Sequence, residues 1–154
     1  MRPDASACIR ARPSVTAAST RVLAPMWPRP RCETIANVRP TLLIVDDHER
    51  FRASARSLLE ADGFDVVGEA ADGEAALLAT AALRPAIVLL DIQLPGRDGF
   101  EIAEQLSAGS GSPAVILISS REATVYGDRV GRAPVLGFIA KSELSGAAIA
   151  RLVG

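Results

Sequence analysis

One stretch limits what this chain can fold into more than any other: Ala86-Ile87-Val88-Leu89-Leu90-Asp91, five apolar residues running unbroken into a carboxylate. So short and apolar a run fits a strand buried on both faces, as in a parallel sheet. Open α/β sheets place their chemistry at the carboxyl ends of such strands, where Asp91 falls. The same pattern occurs earlier as Thr41-Leu42-Leu43-Ile44-Val45 followed by Asp46-Asp47. Two strands thus carry three acids toward one rim. Three neighbouring carboxylates repel each other unless a cation or a proton intervenes. A set of hard oxygen ligands with room for water and phosphate suits Mg²⁺.

The rest of residues 41–154 reads as repeated strand–helix units. A helix is expected from about His48 to Asp62, with Phe51, Ala55, Leu58 and Leu59 on its buried face and Asp46 or Asp47 as its cap. A second strand, Phe64 to Glu69, alternates and is less apolar, so it belongs near an edge. Asp72-Gly73 turns into an Ala- and Leu-rich helix that ends before Pro85. After Asp91, a Leu94-Pro95-Gly96 loop leads to a helix from Asp98-Gly99 to about Leu106. A fourth strand, Ala114 to Ile118, ends in Ser119-Ser120. A weak helix with Gly127 inside it spans about Glu122 to Gly131. A fifth strand, Val135 to Ala140, ends at Lys141, and a last helix starts near Ser142 with Leu144, Ala148 and Leu152 on its buried side. Five such units call for a parallel sheet with helices on both faces. Right-handed crossovers bring every strand's carboxyl end to one rim, so Asp47, Asp91, Ser119 and Lys141 are expected to converge.

Charge separates the two ends of the chain. Residues 1–40 hold seven Arg and six Pro against Asp4 and Glu33. They read as a disordered Arg/Pro-rich extension preceding a domain over 41–154. That domain holds ten basic and sixteen acidic residues, which disfavours direct DNA binding by the folded part. No run of about eighteen apolar residues exists, so no membrane span is expected. Cys8 and Cys32 both lie in the extension, so the reading is a protein of the reducing cytoplasm.

The constellation of Asp46-Asp47, Asp91, Ser119 and Lys141, with Leu94-Pro95-Gly96 after the acid, resembles the receiver domain of two-component response regulators over residues 41 to about 153. The resemblance implies a flavodoxin-like fold with strand order 2-1-3-4-5. It implies that Asp91 is the phosphoacceptor, taking a phosphoryl group from a sensor histidine kinase or phosphotransfer protein. Asp47 and Asp91 would bind Mg²⁺ directly, with Asp46 holding a metal-bound water and the Gln93 backbone carbonyl completing the set. Ser119 resembles the family's switch hydroxyl and Phe138 its switch aromatic. Gln93 and Arg121 stand where the family tunes loss of the phosphoryl group.

The chemistry also follows from the residues. A carboxylate attacking phosphorus forms an acyl phosphate, and the transferring group spreads negative charge that cations must meet. Lys141 offers a point charge and is the one Lys in the chain. The adjacent Ser120 fits a purely local backbone bond better than Ser119 does. His48 beside the acid pair is expected to be a partly exposed first-turn residue, not a metal ligand. It also resembles the Asp-Asp-His opening of receivers that precede a helix-turn-helix output domain.

The reading is a stand-alone receiver that signals by phosphorylation-dependent binding to a downstream protein or to a second copy of itself. One alternative is a receiver split from a DNA-binding output domain. Another is an interaction module that is never phosphorylated, which the intact acid cluster disfavours. A phosphatase of the haloacid dehalogenase type is a further alternative. It wants a second Asp two residues after the first, and Gln93 stands there instead.

Overall fold

A computed structural model describes residues 38–154. The expected N-terminal extension lies outside the described residues, except for Val38 to Pro40. The folded unit runs from Arg39 to Gly154. Its main strands are β1 (Thr41–Val45), β2 (Asp65–Ala70), β3 (Ile87–Asp91), β4 (Ala114–Ser119) and β5 (Gly137–Ala140). Its helices are α1 (Glu49–Ala61), α2 (Gly73–Leu83), α3 (Gly99–Leu106), α4 (Asp128–Arg132) and α5 (Gly146–Val153). The five strands form one parallel sheet in the order β2-β1-β3-β4-β5, the expected 2-1-3-4-5.

Both faces of the sheet are covered, which is why β1, β3 and β4 hold the unbroken apolar runs 42–45, 87–90 and 114–118. Successive side chains point to opposite faces. Leu43, Val45, Val88, Leu90, Val115 and Leu117 pack with residues of α2 and α3. Leu42, Ile44, Ile87, Leu89, Ile116 and Ile118 pack with α1 and α5 through Ala55, Leu59, Ala148 and Ile149. Leu42, Leu43, Ile44, Leu89, Leu90, Ile116, Leu117 and Ile118 have no solvent exposure. Each contributes about 1.5–3 kcal/mol of burial. The strands that carry the acids are therefore the most firmly held part of the chain.

The edge strand β2 keeps charge on its open side. Arg52 Nε and Arg56 Nε of α1 donate to Glu69 at 3.0 and 2.8 Å. Burial pushes the Glu69 carboxyl up, but hydrogen bonds and charge from Arg56 and Arg52 outweigh it and leave the pKa lowered.

Several local expectations are corrected. Leu58 is 40% exposed, because the face of α1 centres on Ala55 and Leu59 and leaves Leu58 on its flank. Neither Asp46 nor Asp47 caps α1. His48 is the N-cap residue, and Asp46 Oδ1 instead accepts from the His48 backbone N–H at 2.8 Å. The expected Glu122–Gly131 helix is two pieces, a 3-10 turn over Ala123–Tyr126 and the short α4. Gly127 separates them at φ 58°, ψ −134°, a backbone state that side chains disfavour. The last helix starts at Gly146, not Ser142. Ser145 Oγ caps it by accepting from Ala148 N at 3.0 Å, and Lys141–Glu143 forms a separate 3-10 turn. The Asp62 carboxylate at the end of α1 also accepts from Gly146 N at 2.7 Å, which fixes this start. The Leu94-Pro95-Gly96 loop is the turn of a small antiparallel hairpin, Gln93–Leu94 with Arg97–Asp98.

Candidate functional site

The register of the sheet builds the site. Val45 is level with Leu90, Asp91 with Ile118, and Ser119 with Ala140. Asp46, Asp91, Ser119 and Lys141 therefore step along one carboxyl edge across four adjacent strands. Asp46, Asp91 and Ser119 are the three buried polar or charged residues among those described. Each sits where its strand leaves the core, so backbone pairing fixes it from behind.

Asp46 is held most tightly. Its backbone carbonyl accepts from Arg52 Nη1 at 2.6 Å. Its Oδ1 takes the His48 backbone N–H and lies 3.1 Å from His48 Nδ1. Its Oδ2 pairs with the Lys141 ammonium, with Nζ 2.5 Å away. A carboxylate oxygen has two acceptor positions, so this one keeps room for a further partner. Lys141 Nζ also donates to Asp91 Oδ2 at 3.3 Å and lies 4.6 Å from the centre of the Phe51 ring. Lys141 thus bridges the two buried acids.

Asp91 Oδ1 accepts from the Gln93 backbone N–H at 3.2 Å. Burial raises the Asp91 pKa, the charge of Lys141 opposes this, and the charge of Asp46 adds to it. Burial alone would lower the Lys141 pKa, but hydrogen bonding and charge from Asp46 and Asp91 raise it, so the ammonium stays charged. Gly99, at the start of α3, presses on the same strand end. A Cβ there would fall 2.5 Å from the Asp91 carbonyl oxygen and 2.7 Å from Ile92 Cα.

Asp47 is partly exposed and opens to the rim. Ligand atoms of Asp46, Asp47, His48 and Asp91 all lie within 4.8 Å of one another. Hard carboxylate oxygens dominate this set, which fits a divalent cation such as Mg²⁺. His48 is expected to be partly exposed, and its side chain is 70% exposed. Its Nδ1 lies 3.0 Å from Asp47 Oδ1.

The local backbone bond expected of Ser120 is made by Ser119 instead. Ser119 Oγ accepts from the Arg121 backbone N–H at 3.0 Å and shares a hydrogen bond with the Tyr126 hydroxyl at 2.7 Å. Ser120 is exposed. Phe138 is half-buried, its ring 6.3 Å from that of Tyr126, which lies 6.0 Å from the ring of Phe100. Gln93 and Arg121 are exposed on the two sides of the rim. Tyr126 is the residue that sequence reasoning missed. Its signal was its being the one Tyr in the chain, seven positions after the buried Ser119.

A five-stranded parallel sheet in this order, with acids and a lysine along its carboxyl edge, defines a CheY-like α/β protein. A family model, the response regulator receiver domain, matches residues 42–152. The chain belongs to that family, whose members are signalling domains. It is 31% identical over 101 residues to the DNA-binding transcriptional activator EvgA of Escherichia coli K12, covering 66% of this chain and 50% of that protein. It is 34% identical over 101 residues to the response regulator GacA of Pseudomonas protegens, covering 65% and 47%. The chain thus spans about half the length of the curated relatives it matches. Among solved structures it is similar to a two-component response regulator of the LuxR family from Aurantimonas, with a TM-score of 0.67 at 28% identity, covering 76% of this chain and 87% of that one. No helix of the described residues is long and apolar enough to cross a membrane.

Proposed function

We propose that Asp91 accepts a phosphoryl group from a phosphohistidine of a sensor kinase or phosphotransfer protein. The observation that carries this is the bridge of Lys141 between Asp46 Oδ2 and Asp91 Oδ2 at the end of a fully buried strand. An Asp91 oxygen attacks phosphorus, the P–N bond breaks, and the imidazole leaves with the electron pair and takes up a proton. The product is an acyl phosphate on Asp91. The attack brings an anion toward anions, so fixed positive charge decides its rate. Lys141 supplies that charge from a position its carboxylate partners already define. Asp46, Asp47 and Asp91, with the Gln93 backbone carbonyl, would hold Mg²⁺. When bound, the metal supplies positive charge that offsets the acids as the phosphoryl oxygens arrive. Asp47 and Asp91 would be the direct ligands, and Asp46 would act on the metal through water.

The side of the rim with the buried Ser119 and the half-buried Phe138 carries the response. Gln93 and Arg121, exposed beside it, set how readily water reaches the acyl phosphate. The domain catalyses nothing beyond its own phosphorylation and dephosphorylation, works in the cytoplasm, and passes the signal to a protein or to a second copy of the chain. A second reading is supported by the half-length match to DNA-binding regulators: this is the receiver portion of a transcriptional regulator. Reading the downstream coding sequence separates the two.

The test is labelling by acetyl phosphate with Mg²⁺. One acid-stable, hydroxylamine-labile phosphoryl group is expected, lost in Asp91→Asn. Equal uptake by Asp91→Asn would move the site elsewhere.

A further inference from the structure

Ser119 Oγ is completely buried, and a hydroxyl has one proton and two acceptor positions. One acceptor position is filled by the Arg121 backbone N–H. The proton of a buried hydroxyl needs an acceptor, and the oxygen at hand is that of Tyr126, 2.7 Å away. Tyr126 is partly exposed, so its own proton can go to water. With Ser119 as the donor of this bond, Tyr126 is the acceptor.

A phosphoryl group on Asp91 would bring new, charged acceptor oxygens to the same rim, and charge-assisted bonds are the stronger ones. The single Ser119 proton cannot serve both. We infer that Tyr126 is a latch on Ser119: it competes with the phosphoryl group for the serine proton, and losing that competition frees the Ala123–Arg132 segment.

The segment is built to be released. Neither the 3-10 turn nor α4 has a buried residue. Gly127 hinges them, and few buried contacts mean a low cost of local opening. Tyr126 and Val130, both partly buried, pack against the core. The Tyr126 ring sits between Phe100 and Phe138, and Arg129 lies 4.2 Å from the Phe100 ring centre while pairing with Asp98. Tyr126 is the member of this group that touches Ser119, so it is a positioning residue that converts a change of hydrogen-bond partner into a change of segment. A ligand shifts such an equilibrium only by its differential contacts, and the Ser119 proton is that difference.

The inference rests on Asp91 being the phosphoacceptor, and the experiment keeps the two apart. Beryllofluoride, a phosphoryl mimic, is titrated with Mg²⁺ into the full chain and followed by amide NMR. Tyr126→Phe keeps the ring and removes the competing acceptor. It should bind beryllofluoride about two- to tenfold more tightly, the worth of one hydrogen bond. Its Mg²⁺ affinity should not change. Ser119→Ala should bind more weakly, and adding Tyr126→Phe to it should then have no effect. If Tyr126→Phe binds as well as or worse than the natural chain, the latch is overturned. It is also overturned if the gain persists in Ser119→Ala. If the natural chain takes no beryllofluoride, the phosphoacceptor reading falls and takes the latch with it.

Discussion

The two halves of the carboxyl edge are built differently. On the β1–β3 side, Asp46 and Asp91 end strands whose residues are almost wholly buried, and the helix after β1 has thirteen residues. On the β4–β5 side, the strand ends lead into a 3-10 turn, a five-residue helix and a second 3-10 turn, none with a buried residue. Groups that must meet a reacting phosphorus gain from rigid backing, because misplacement by an ångström is costly. Groups that report the reaction must sit where rearrangement is cheap. The division of labour follows from where burial is spent.

The sharpest way to break this comparison is to truncate one apolar residue on each side. Leu89→Ala, on the fully buried strand of Asp91, should cost about 3–4 kcal/mol in urea unfolding. Val125→Ala, in the 3-10 turn and 56% exposed, should cost less than about 0.5 kcal/mol. Similar losses would mean that the two sides are equally packed.

Gly99→Ala tests the backing of Asp91 directly. Its Cβ would meet main-chain atoms of Asp91 and Ile92, which cannot yield as a side-chain tip can. A loss of about 1–3 kcal/mol is expected. Labelling by acetyl phosphate should slow about tenfold or more as Asp91 shifts. Normal labelling in a destabilised variant would show that the strand end tolerates movement.

The smallest effect belongs to the β2 edge. Glu69 has a folded-state pKa below its unfolded value near 4.5. Its stabilisation is therefore complete above about pH 4.5 and is lost as pH falls through the lower folded value. The Arg52–Arg56–Glu69 group is near the surface, so solvent screening keeps its worth at about 0.5 kcal/mol. Glu69→Gln should lower stability by that amount at pH 7 and converge with the natural chain in acid. A gap that widens in acid would reverse the sign of the argument.

The sequence was most readable where burial is heaviest. Unbroken apolar runs marked β1, β3 and β4, and the residues that end them fell on one edge because parallel crossovers leave no other choice. Asp46, Asp91 and Lys141 could be placed together on that ground. The β4–β5 side was less readable, since a segment with no buried residue has no strong period to read. Gly127 was visible inside the expected helix, but that it would split the helix was not. The last helix was expected from near Ser142. Its start at Gly146 is fixed by the Ser145 cap together with the Asp62 carboxylate, which is remote in sequence. Tyr126 was missed for a related reason: its partner is set by the turn that carries it, and not by any pattern within the turn.

The most direct test of this account is amide NMR of the full chain with Mg²⁺, before and after beryllofluoride. The account predicts shifts around Asp46, Asp47 and Asp91 and, with them, shifts through Ser119, the Ala123–Arg132 segment, Phe138 and Lys141, all absent in Asp91→Asn. Shifts confined to the surroundings of Asp91, with none from Glu122 to Leu152, would contradict it.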